Sequence, residues 1–109
     1  PWAPQRGDVV WISFSPQAGH EQAGADRQPF FAAAQNDKVG LAVLCPRTSA
    51  LKGYPFEVPL PADLPVHGVV LADQVKSLDW RIRQAELACR LPEEVVLEVL
   101  QKLNTLVGL

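Results

Sequence analysis

Residues 8–15, DVVWISFS, set Val10, Ile12 and Phe14 against Val9, Trp11 and Ser13. This is the alternation of a β-strand, with β-branched and aromatic side chains on both of its faces. The same signal recurs downstream in short pieces. Residues 29–35 (PFFAAAQ) and 41–46 (LAVLCP) read as the second and third strands, separated by an Asn36-Asp37-Lys38 turn with Gly40 after it. The third is nearly all apolar, the pattern of a strand covered on both faces. Residues 56–60 (FEVPL) follow a Lys52-Gly53-Tyr54-Pro55 turn as another strand, and Pro59 points to a sheet edge or an early end. Residues 61–65 read as a connection, 67–73 (HGVVLAD) as a buried strand, 77–80 as a helical turn or the next strand, and 81–88 (RIRQAELA) as a strand rather than a helical turn. Residues 16–26 (PQAGHEQAGAD) have no periodicity, which predicts a long surface loop between the first two strands.

The C-terminal segment changes period. Pro92 at the expected first helical position, Glu93 and Glu94 in the first turn, and Val96, Val99, Leu100, Leu103, Leu106 and Val107 along one stripe predict an amphipathic helix. Short strands followed by one closing helix give an α+β domain with a small, strongly curved, mostly antiparallel sheet.

With 109 residues, 48% hydrophobic and 20% charged, the chain is expected to form a single domain over residues 1–109 and is too apolar to be disordered. Its apolar runs, residues 69–72 and 95–97 among them, fall far short of the ~20 residues of a membrane span. The start has neither a basic flank nor an apolar signal stretch, so a soluble, cytoplasmic protein without membrane contact is expected. A net charge of −2 excludes coating of nucleic acid by bulk charge, and any such contact must use a local basic patch. Cys45 and Cys89 sit in apolar surroundings without metal-ligand spacing and are expected to be buried structural thiols; His20 and His67 are solitary. No metal site and no cofactor is expected.

Three blocks on this frame, RGDVVWISFSPQAGHEQAG, CPRTSALKGYPFEV and GVVLADQVKSLDWR, followed by the Pro-Glu-Glu helix, resemble the MazF/PemK family of toxin–antitoxin endoribonucleases in the family's order. The resemblance implies an SH3-like barrel of the CcdB/MazF type with a C-terminal helix, and a homodimer. It also implies metal-independent, sequence-specific cleavage of single-stranded RNA, and inhibition by a MazE-like antitoxin with an acidic tail. By the same resemblance Arg27 takes the place of the arginine in an E-Q-x-G-x-R-P motif that begins at Glu21 and Gln22, and Thr48 that of the threonine in a P-x-T turn.

Metal-free RNA cleavage needs a fixed cation and hydrogen-bond donors around a phosphate whose adjacent 2′-hydroxyl attacks it. Arg27, in the loop before the second strand, offers a planar two-pronged donor, and Thr48 and Ser49, beyond a strand ending at Pro46, offer hydroxyls. Arg27 and Thr48 are the expected catalytic pair. Glu21, Gln22, Ser49, Lys52, Lys76 and Arg81 are the expected RNA contacts, with Glu21 or His20 as candidate general base. Arg47, Lys52 and Arg81 stand as alternative cations. The pattern departs from the family's at Gln28, which separates Arg27 from Pro29, and at the alanine-rich strand that follows. Two alternatives remain open: a same-fold toxin that binds a macromolecule such as gyrase, and a catalytically inactive RNA-binding variant.

Overall fold

The computed structural model describes residues 2–14, 27–36 and 40–106. These form the strands β1 (Asp8–Ser13), β2 (Arg27–Asn36), β3 (Leu41–Thr48), β4 (Glu57–Pro59), β5 (Val69–Leu71), β6 (Lys76–Asp79) and β7 (Glu86–Arg90), and the helix α1 (Glu93–Leu106). All pairings are antiparallel. The strands follow the order β4-β5-β3-β2-β1-β7, with β6 also paired to β3. The expected curved antiparallel sheet with one closing helix is what the chain forms. Its hydrogen-bonded path has two ends, at β4 and β7, so among the described residues no ladder closes it into a full barrel.

Curvature has local causes. Register shifts place one extra residue in each of two ladders, Ala88 of β7 against Val9 and Val10 of β1 and Ala33 of β2 against Leu44 and Val43 of β3, and bend the strands. The third strand carries two neighbours on one edge, pairing β6 through Leu41–Leu44 and then β5 through Arg47 and Thr48. That hand-over turns the β4–β5 arm away from the β6 side.

Both faces of β1, β2 and β3 are covered. Val9, Phe31, Ala33 and Cys45 pack with Val58, Leu60, Val66, Val70 and Val99, joined by Val95, Val96, Leu100 and Leu103 of α1. On the opposite face Val10, Ile12, Phe30, Ala32, Ala42 and Leu44 pack beneath Trp80, Leu78 and Ala85. The apolar runs in these strands, with few polar positions between them, follow from this double cover. No described helix is long and apolar enough to cross a membrane.

Several boundaries move from their sequence reading. Arg27 is the first residue of β2, paired with Ser13, and Thr48 is the last residue of β3, paired with Val69. Residues 81–84 form a turn and the strand begins only at Glu86, because the Asp79 carboxylate accepts the amides of Arg81 and Ile82 at 3.0 Å each and closes the chain on itself. Pro92 lies one residue before α1, its carbonyl accepting from Val95 and Val96. Pro59 does end an edge strand, since β4 pairs with β5 alone in the strand order. The predicted loop at residues 16–26 lies outside the described residues.

Cys45 is buried as expected, whereas Cys89 is only partly so. Burial, reinforced by the negative charge of Asp73, pushes the Cys45 thiol up to about 11, and burial and Asp8 raise that of Cys89. Because the folded value of Cys45 lies above the unfolded 9.0, its contribution to stability is complete below pH 9 and is lost as pH rises towards 11. The loss should be on the order of 2 kcal/mol. Urea titrations of wild type and Cys45→Ala at a series of pH values should therefore show a steeper alkaline decline in the wild type.

Candidate functional site

Polar side chains gather where the apolar part of the sheet stops. The β2–β3 ladder runs from Asn36 opposite Leu41 to Phe30 opposite Pro46. Arg27 and Thr48 extend past its last rung at the same end of these two neighbouring strands. The alternation of side chains places Arg27 on the face of Phe31 and Cys45, and Thr48 on that of Leu44.

Arg27 is held across three strands. The register sets Ser13 opposite Arg27 and sets Trp11 opposite Glu86, so Arg27, Trp11 and Glu86 share one face of β2-β1-β7. The guanidinium carbon lies 5.5 Å from the Trp11 ring centroid, and Nη2 is 3.5 Å from Glu86 Oε2. Its Nε is buried and has no hydrogen-bond partner among the described residues. An ion pair this exposed contributes about 0–1 kcal/mol, so it orients Arg27 without fixing it. At the same end of β1, Arg83 Nη1 donates to the Ser13 carbonyl at 3.2 Å and lies 3.5 Å from that of Phe14, while Ser13 N–H donates to the Arg83 carbonyl at 2.9 Å.

Thr48 opens a second group. Its Oγ1 accepts the Ala50 amide at 3.3 Å, which leaves the hydroxyl proton free to donate outwards. Thr48 lines a cavity of about 140 Å³ with Ala50, Lys52, Tyr54, Phe56, Glu57, Leu71 and Gln74. The loop around this cavity is tied down from below. Glu57, 4% exposed, accepts the Gly53 amide at 2.9 Å and the Lys52 amide at 3.2 Å, and its own N–H donates to the Tyr54 carbonyl at 3.1 Å. The Lys102 ammonium of α1 donates to the Glu57 carbonyl at 2.8 Å. Thus α1 reaches the loop that carries Lys52 through one main-chain oxygen.

The expected residues therefore divide into groups. Thr48 and Lys52 share the cavity, and Ser49 is exposed beside them. Arg27 stands with Trp11 and Glu86. Lys76 is exposed at the start of β6, and Arg81 lies over the Trp80 ring at 5.0 Å, on the side of the sheet opposite α1. Arg47 Nη1 is turned to the His67 carbonyl at 3.2 Å. Glu21, Gln22 and His20 fall outside the described residues. Sequence reasoning missed Glu57, Glu86, Arg83, Gln74 and Gly68. Glu57 had a signal, an acidic residue at an inward position of an apolar strand. Gly68 had one too, directly before Val69-Val70-Leu71. Nothing in the sequence distinguished Glu86 or Arg83 from solvated charges.

A curved sheet whose two-sided core ends in a paired arginine and a cavity lined in part by Thr48 and Lys52 defines a small α+β protein with polar groups gathered at one end of the sheet. Residues 5–107 match the family described as PemK-like, MazF-like toxin of type II toxin-antitoxin system, and the chain belongs to that family. The endoribonuclease toxin MazF of Escherichia coli K12 is 42% identical over 98% of this chain and 96% of its own length. The endoribonuclease toxin ChpB of the same strain is 36% identical over 94% and 93%. Among solved structures, MazF of Deinococcus radiodurans superposes with a TM-score of 0.85 at 50% identity, covering all of both chains. A MazE–MazF complex from the same organism gives a TM-score of 0.88 at 43% identity over 100% of this chain and 99% of the other.

Gly68 tests how tightly the site is packed. It has φ +109°, and a Cβ there would overlap the Thr48 carbonyl and lie 3.0 Å from Ser49 Cα, with backbone on both sides and nothing flexible to yield. Gly68→Ala should cost about 2 kcal/mol or more in urea unfolding. An unchanged midpoint would show that Thr48 is free to move.

Proposed function

We propose that this chain is the toxin of a toxin–antitoxin pair, one domain that acts in the cytoplasm as a metal-independent endoribonuclease on single-stranded RNA. The observation that carries the reading is the likeness to MazF endoribonuclease toxins over nearly the whole chain, at 42% identity to that of E. coli. Arg27 and Thr48 are the groups we assign to the chemistry. In the reaction the RNA 2′-hydroxyl attacks the adjacent phosphorus, its proton passes to a base, and the 5′-oxygen leaves with a proton, so a cyclic phosphate remains on the other fragment. Charge builds on the non-bridging oxygens as the fifth bond forms. A guanidinium carries a permanent positive charge and several N–H groups in one plane, which suits it to those oxygens. The Thr48 hydroxyl, already oriented by the Ala50 amide, adds a donor at the other strand end.

Lys52, Ser49, Lys76 and Arg81 are assigned as contacts to RNA outside the reacting phosphate, along with Glu21 and Gln22. Exposed apolar side chains, among them Leu41 at 40% and Ile82 at 60%, support assembly as a homodimer. The MazE–MazF complexes of D. radiodurans support a MazE-like antitoxin as the natural partner. An acidic segment of such a partner would occupy the cations that RNA phosphates need.

Cleavage of a short single-stranded RNA, without added metal and with chelator present, tests the activity. Arg27→Ala should lower kcat by on the order of 100-fold or more while RNA affinity falls far less. Arg27→Lys should rescue little, because the ammonium loses the two-pronged grip. Thr48→Ala should also slow cleavage. Wild-type rates for Arg27→Ala would move the catalytic cation to Arg47, Lys52 or Arg81.

A further inference from the structure

We propose that Glu86 is a positioning residue: it holds Arg27 in the unliganded protein and competes with the RNA phosphate for the same guanidinium. The inference rests on the assignment of Arg27 above and adds the group that controls its availability. Glu86 and Arg27 lie on one sheet face with Trp11 between them, with Glu86 Oε2 3.5 Å from Arg27 Nη2. Their exposures are unequal. The Arg27 side chain is 28% exposed and that of Glu86 67%, so the carboxylate is the member of the pair that solvent can take back.

Trp11 and Glu86 use different parts of the guanidinium. The indole lies against the cation with its centroid 5.5 Å away, whereas the carboxylate lies 3.5 Å from Nη2 at its edge. A phosphate oxygen binds in the plane of the group, as a carboxylate does. Arriving RNA therefore displaces Glu86 and leaves the contact with Trp11 in place. The exchange substitutes one anion for another at a single cation, and its cost is the Arg27–Glu86 ion pair given up. Glu86 thus keeps Arg27 oriented between turnovers and lowers affinity for RNA.

The test uses Glu86→Gln, a nearly isosteric change at an exposed position, in the full chain with either Arg27 or Arg27→Ala. Binding is read by fluorescence anisotropy with a short single-stranded RNA carrying a 2′-deoxy sugar at the cleavage position, and kcat and KM are read on the ordinary RNA. With Arg27 present, Glu86→Gln should tighten binding about threefold at low salt, because the phosphate no longer has to displace an exposed ion pair worth a few-fold in equilibrium. The gain should shrink as ionic strength rises, KM should fall and kcat should hold. In the Arg27→Ala background the gain should vanish. Unchanged affinity with Arg27 present, or an equal gain without it, overturns the proposal, the second outcome making Glu86 only a diffuse charge. A fall in kcat of about tenfold at constant KM also overturns it, because Glu86 would then serve the chemistry itself. The catalytic assignment of Arg27 is decided separately by the kcat of Arg27→Ala, whatever the affinities show.

Discussion

The cover on both faces of β1, β2 and β3 is the constraint on which the rest of the molecule depends. Val9, Phe31 and Cys45 belong to one core and Val10, Phe30 and Leu44 to the other, so neither face of the central strands is free to carry polar chemistry. Charged side chains are displaced to where these strands end. Arg27 begins β2 and Thr48 ends β3. The position of the site is thus a consequence of how the core is filled, and the elements that complete the core also build the site. Helix α1, which supplies Val99 to one core, also sends Lys102 to the Glu57 carbonyl beside the cavity.

For a chain of net charge −2, the action on RNA proposed above requires that it concentrate its cations and limit the cost of keeping them together. Arg27, Arg47 and Arg83 are each held by something weaker than a buried salt bridge. Arg27 has an exposed carboxylate and an indole, Arg47 a main-chain carbonyl, and Arg83 the carbonyls at the end of β1. Such contacts hold a guanidinium at small free-energy cost and release it when a stronger anion arrives. Glu57 is treated differently. It is buried and receives backbone amides, which stabilise its charge locally and leave the lysine side chains at the surface.

Much of the architecture was legible in the sequence because its signals were local. The two-sided apolar pattern of residues 8–13 and the helical stripe from Val96 to Leu103 each announced their element, and the proline in FEVPL marked the edge strand. The ends of strands were not legible. Arg27 and Thr48 look like loop residues because they are polar, yet strand pairing with Ser13 and Val69 extends the ladders over them. Residues 81–88 carry alternation enough for a strand, but the Asp79 carboxylate claims two amides and turns the chain first. The role of Glu86 was illegible for a deeper reason. It arises from neighbours distant in sequence, Arg27 and Trp11, and no local pattern encodes such a pairing.

The bond from Lys102 to the Glu57 carbonyl sets a phase as well as a contact. Each residue added to an α-helix turns everything after it by about 100° and advances it by about 1.5 Å. One residue inserted into α1 before Lys102 would carry the ammonium to another side of the cylinder, and Val99 would leave the core with it if the insertion came earlier still. Length variation in this family member is therefore better tolerated beyond Lys102 than before it, and the helix counts its residues for the loop as strictly as for the core.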